Sequence, residues 1–142
     1  MRGVVAAIAW IARQVRPDLS YGVSKLQSIT TRAHVKDLTE ANKLLNFALE
    51  HSDKGIHFTS KEINWDDMIV CAIIDASFAN EKVVVSNEKE SNRSQQGHII
   101  VLAPADMMNR SEAVVHPVTW SSTVITRVCR STLMAEAFVL IR

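Results

Sequence analysis

Apolar positions in the first third of the chain recur every three to four residues. Val4, Val5, Ile8, Ile11, Ala12 and Val15 trace one such stripe, which predicts an amphipathic helix. Pro17 closes it, because the residue before a proline is pushed out of the α region. Asp18 or Ser20 then stands where a cap is needed for a second helix, whose stripe is Tyr21, Val23, Leu26 and Ile29. A third helix is expected from Asp37, with Glu40 three residues on in a near capping-box arrangement. Its stripe is Leu38, Ala41, Leu44, Leu45, Ala48 and Leu49, and Gly55 after Lys54 reads as its stop.

Beyond Gly55 the period changes to two. Ile56, His57 and Phe58 read as a short strand, and the polar stretch from Lys61 to Asp67 as a turn. From Met68 to Ala76 both alternating faces are apolar, with Ile69, Cys71 and Ile73 on one and Val70, Ala72 and Ile74 on the other. Such a strand belongs inside a covered sheet. The charged, serine-rich stretch from Asn80 to Gln96 reads as a solvated loop, with Val83, Val84 and Val85 available to extend strand pairing. Two further strands follow, from Gly97 to Leu102 and from Val118 to Ser122, joined by a connection running from Pro104 to Pro117. Ser131 is placed to cap a last helix, whose apolar positions Leu133, Ala137 and Leu140 share one face.

Composition narrows the class without naming a chemistry. With 142 residues, 47% apolar and 22% charged, the chain has the make-up of a folded domain and not of a disordered one. A net charge of +1 supplies no bulk attraction to nucleic acid or acidic membranes. Cys71 and Cys129 sit among apolar neighbours and are expected to be reduced, buried and small. The N-terminal run MRGVVAAIAWIAR has the outline of a signal peptide, but it continues into helical periodicity and is too short to span a bilayer. The expectation is therefore an intracellular protein with no membrane partner. Trp10, Trp65 and Trp120 are expected to be core or half-buried. The cysteines and histidines lack zinc spacing, and no glycine-rich loop or nucleophile elbow is present.

One constellation carries chemistry. Asp75 ends an apolar strand in MIVCAIIDASFAN, and Glu136 sits on the closing helix in RSTLMAEAFVLIR. Together with SQQGHIIVLAP, PVTWSS and RVCRSTLMAEAF they resemble the ribonuclease H region of copia-type (pseudovirus-type) retrotransposon Pol polyproteins. The earlier strings WIARQVRPDLSYGVSKLQS and EANKLLNFALEHSDKGIHF resemble the helical segment that follows the polymerase palm in the same polyproteins. The resemblance covers nearly the whole chain.

The fold it implies is α/β: a truncated ribonuclease H-like sheet of three strands plus the first helix, preceded by a helical reverse-transcriptase thumb or connection segment. Residues 1–60 would form that helical segment and residues 61–142 the N-terminal part of the ribonuclease H-like domain. The family hydrolyses the RNA strand of an RNA–DNA hybrid with two divalent ions, about 4 Å apart. Mg²⁺ prefers carboxylate oxygens and retained waters, so the resemblance makes Asp75 and Glu136 both catalytic residues and metal ligands. It places two more acidic ligands beyond Arg142, which leads to the expectation of an incomplete site and a chain inactive alone. Lys25, Arg32, Lys36 and Lys43 would be phosphate contacts to the hybrid, which position without specifying. The string Trp65-Asp66-Asp67-Met68 resembles the paired aspartates of a polymerase palm only superficially. It lies after the thumb-like helices, with its aromatic adjacent to the pair, and reads as a solvated turn. In the family the first strand is flanked by the second and a fourth; without the fourth, the strand from Met68 to Ala76 is an apolar edge open to self-association. The alternatives are a non-catalytic nucleic-acid-binding or protein-interaction remnant, and a secreted protein of unrelated fold.

Overall fold

The computed structural model describes residues 1–58, 64–84 and 90–141. It is mixed α/β, with four helices and an open antiparallel sheet of three strands in the order β1-β2-β3. Helices α1 (Arg2–Gln14), α2 (Ser20–Ile29) and α3 (Val35–Glu50) come first. Strands β1 (Met68–Val84), β2 (Glu90–Pro104) and β3 (His116–Val124) follow, and α4 (Thr132–Leu140) closes the order.

The stripe of α1 holds in part: Val5, Ile8 and Ala12 are buried and Val4 is half-buried, while Ile11 and Val15 are exposed. Ile8, Ala9 and Ala12 form one cluster with Leu19 and Val23, closed by Leu44, Leu45 and Ala48 of α3. Pro17 ends α1 and opens a 3₁₀ turn, Pro17–Leu19. Asp18 is not the cap of α2, which begins with Leu19 at its N-cap and no side-chain cap. Asp18 is taken instead by Arg16, whose Nε and Nη2 donate to its two carboxylate oxygens at 2.9 and 2.8 Å. The third helix likewise starts before Asp37. His34 is its N-cap, and Asp37 accepts from the His34 backbone N–H at 2.7 Å, so the capping box is His34 with Asp37. Gly55 is no stop, since α3 ends at Glu50. Ile56, His57 and Phe58 form no strand; the Ile56 N–H donates to the Val15 carbonyl, folding the segment back on the end of α1.

In the sheet half the largest departure is the hairpin. The stretch expected to be a loop from Asn80 to Gln96 is mostly paired backbone: β1 runs on to Val84 and β2 begins at Glu90. The expectations for Val85 and for Lys61 to Ile63 fall outside the described residues. Polar side chains concealed these arms because a ladder satisfies backbone groups whatever the side chain. The register slips between Ser77 and Glu81, where Ala79 takes a positive φ of 51°. Buried Ser94 steadies that bulge, its Oγ accepting from the Ala79 N–H at 3.1 Å. The extra residues bend the strand there, as bulges do.

Ser131 caps α4 as expected, its Oγ accepting from the Met134 N–H. The buried face is the reverse of the expected one. Ala135 and Val139 are buried with Ala76, Ile125 and Cys129, while Leu133 and Leu140 are exposed. The tryptophans depart too: Trp10 and Trp65 are exposed, and Trp120 is half-buried. Both cysteines are free, Cys129 buried and Cys71 partly so. No helix among the described residues is long and apolar enough to cross a membrane.

Helices and sheet meet along a polar seam. Trp120 Nε1 donates to the Ala12 carbonyl at 2.7 Å. Buried Gln95 donates to the hydroxyls of Ser24 on α2 and Ser122 on β3. The Tyr21 hydroxyl donates to buried Glu81 at 2.5 Å.

Candidate functional site

Asp75 lies on β1 opposite Gly97 of β2 and is exposed. Its neighbours explain its direction. Ile74 and Ala76 both pack with the α4 cluster, and successive side chains of a strand point to opposite faces. The pleat therefore turns Asp75 to the other face, where it lines an open cleft of about 250 Å³ with Pro17, Tyr21, Ile73, Trp120 and Ser122. Placing a carboxylate in an apolar run costs little here, because Asp75 is exposed and keeps its water.

Glu136 projects from α4 and is half-buried. Ala135 immediately before it, and Val139 three residues after, are buried against Ala76. Asp75 and Glu136 thus each adjoin, one residue away, a member of the same buried cluster. Strand and helix are brought together at the two acids. Asp75, however, leaves the face opposite the one that α4 covers, so strand acid and helix stand on opposite sides of the sheet here.

Carboxylate oxygens suit a hard cation, and Mg²⁺ is commonly held by one or two carboxylates with several waters retained. In kind the two carboxylates suit such an ion, but their placement on opposite faces of β1 does not bring them to one. Nor do they fit a two-ion cradle: among the described residues no group of three or more His, Cys, Asp and Glu side chains is placed to hold a metal.

The four basic residues are all exposed or half-buried and belong to the helical half. Lys25 is on α2, Arg32 in the turn after it, and Lys36 and Lys43 on α3. Lys43 is engaged with Glu40 at 2.7 Å. Trp65–Asp67 forms an exposed 3₁₀ turn, in keeping with the solvated turn read from the sequence.

Other polar residues were not singled out by the sequence. Arg16 is buried, and besides Asp18 it donates to the His51 carbonyl at 2.7 Å, holding the end of α3. The hydrogen bond from Arg16 keeps the Asp18 carboxyl below the usual carboxylate range, against the opposing effect of burial. Hydrogen bonding to Glu81 pushes the Tyr21 hydroxyl above its ordinary value, and burial and the nearby negative charge act in the same direction. Arg16 and Asp18 flank a proline, which was the available signal for their pairing. Glu81 and Gln95 gave none, lying in the stretch read as loop.

No protein-family model matches the chain, and no significant match is found to a curated protein or to a solved structure.

Proposed function

We propose that the chain is a piece of a copia-type retrotransposon Pol polyprotein, spanning the helical connection after the polymerase and the front of a ribonuclease H-type domain. The observation that supports this reading is the packing of the closing helix on the first strand, where Ala76 of β1 is buried with Ala135 of α4. The element order lends further support, with three antiparallel strands followed by a capped helix that crosses the first of them.

Standing on opposite sides of the sheet, Asp75 and Glu136 would each hold Mg²⁺ weakly and alone, with water filling its remaining positions. A bound Mg²⁺ would supply charge neutralisation at the phosphate backbone of an RNA–DNA hybrid. In-line cleavage with two ions asks for more carboxylates than this pair offers, so these 142 residues by themselves are expected to bind without cleaving. The polar seam holds α1 and α2 against the sheet, and the basic residues of the helical half would meet the hybrid's phosphates.

Calorimetric titration with Mg²⁺ tests the reading. Only weak binding is expected, and Asp75→Asn and Glu136→Gln should each remove part of it. Hybrid incubated with the wild-type chain should stay intact. A Mg²⁺ site untouched by both variants would contradict the assignment. Mg²⁺-dependent loss of the RNA strand, abolished by Asp75→Asn, would instead show a working nuclease.

A further inference from the structure

Each buried apolar cluster among the described residues belongs wholly to one half of the molecule. Two are built from α1, α2 and α3 with Leu19, and the third from β1, α4 and the segment between β3 and α4. None of them crosses the seam. What crosses it is polar: Tyr21 donates to Glu81, Gln95 to Ser24, and Trp120 to the Ala12 carbonyl. The seam is also incompletely filled. The cleft of about 250 Å³ at Asp75 lies between Pro17 and Tyr21 on one side and the strands on the other. A second crevice of about 80 Å³ is lined by Ala9, Arg13, Ser24, Gln27 and Ser122. Trp120 borders both and is only half-buried. A tightly packed junction leaves few gaps of that size.

Polarity decides what parting the halves costs. Apolar faces that separate return their whole area to water at a loss, whereas separated hydrogen-bonding groups take water in place of each other, and the net loss per bond is small. Glu81 and Gln95, both buried, would regain water in this way. Junctions between structural units move unless they are large and apolar. The chain also passes from helices to strands once, after α3, so a single covalent link joins the halves.

We propose that the helical and sheet halves open and close on each other as two bodies, latched by the hydrogen bond from Tyr21 to Glu81. A phenol donating to a carboxylate makes one of the stronger hydrogen bonds, and this one ties α2 to β1. Opening bares the face of the sheet to which Asp75 points. In the closed form that face offers a cleft smaller than the roughly 300 Å³ at which ligand pockets begin, too small for a strand of nucleic acid. The open form would admit one. That ligand rests on the function proposed above; the opening itself does not.

Pulsed electron paramagnetic resonance reads the opening. Spin labels go on Asn46→Cys of α3 and Leu133→Cys of α4, both exposed, in a Cys71→Ala, Cys129→Ala background. A main distance and a minor, longer one are expected. Tyr21→Phe should raise the longer population about tenfold, the effect of losing one hydrogen bond to a charged group, with the far-ultraviolet circular dichroism unchanged. Hydrogen exchange in the unsubstituted chain gives a second reading that needs no variant to fold. Relative to the free group, the Trp120 indole N–H should be less protected than the backbone amides of Ile8 in α1 and Ile99 in β2. A single distance with and without Tyr21→Phe, or a Trp120 indole as protected as those two amides, would overturn the proposal. An added RNA–DNA hybrid should also raise the longer population. If it leaves the distances unchanged while Tyr21→Phe lengthens them, the opening stands and the ligand assigned to it is refuted.

Discussion

The helical half and the sheet half both bury some apolar residues and expose others, but they differ in where the exposed ones gather. Val5, Ile8 and Leu19 are at most 1% exposed, and α1, α2 and α3 close on each other around them. A buried arginine clamps the end of that unit to its turn. In the sheet half, Ile69, Val70, Ile73, Leu133 and Leu140 all face solvent. Its buried cluster sits under α4, beside the two acids. The contrast separates the roles. The first half is held by its own packing, while the second leaves open apolar positions of β1 and α4 and a pair of carboxylates, the surfaces on which a partner or an ion can act.

Substitutions at matched apolar positions break that comparison most sharply. Leu19→Ala should destabilise the chain by about 3 kcal/mol, the usual cost of a cavity at a well-packed site. Val70→Ala should fall within about 0.5 kcal/mol, as exposed positions do. Denaturant unfolding measures both, and equal losses would erase the distinction. Arg16→Ala comes next, at about 2–3 kcal/mol, because buried hydrogen bonds to a charged group are lost. Its partner makes this pH-dependent. Asp18 is held low by Arg16, so the pair's contribution is complete above the ordinary carboxylate value. It disappears as pH falls through the depressed one. Acid should therefore narrow the gap between wild type and Arg16→Ala.

The seam between the halves ranks below the clamp. Tyr21→Phe removes the donor to buried Glu81 and should cost about 1–2 kcal/mol. Tyr21 titrates above its ordinary value, so this bond contributes fully below about pH 10 and is lost as pH rises through the raised value. Urea melts of the pair of proteins should accordingly converge only in strong alkali. The smallest effect is expected at Asp75→Asn, an exposed change that should leave stability within about 0.5 kcal/mol of wild type.

The helices were legible because their stripes contrast with polar neighbours, and α1, α2 and α3 all appear near their expected positions. Their ends were less so. Asp37 has the chemistry of a cap, but it serves from the third position of α3, a distinction that only backbone geometry makes. The hairpin arms were hidden because Arg93, Gln95 and Glu81 resemble loop residues, whereas their backbones pair. The inner face of α4 was misread for a different reason. Leu133, Met134, Ala135, Ala137, Phe138, Val139 and Leu140 make the helix apolar all round, so periodicity has no contrast to report. Asp75 and Glu136 were found by resemblance to a family. Their shared cluster was invisible in the sequence, because it depends on where α4 crosses β1.

Mn²⁺ added to isotopically labelled protein, followed by paramagnetic broadening in NMR spectra, tests the central claim most directly. With Asp75 and Glu136 on opposite sides of the sheet and each meeting the ion alone, signals of Asp75 and Ala76 should fade only at high concentrations, and Glu136→Gln should leave that effect unchanged. Fading at the lowest concentrations that Glu136→Gln abolishes would show one shared ion and contradict it.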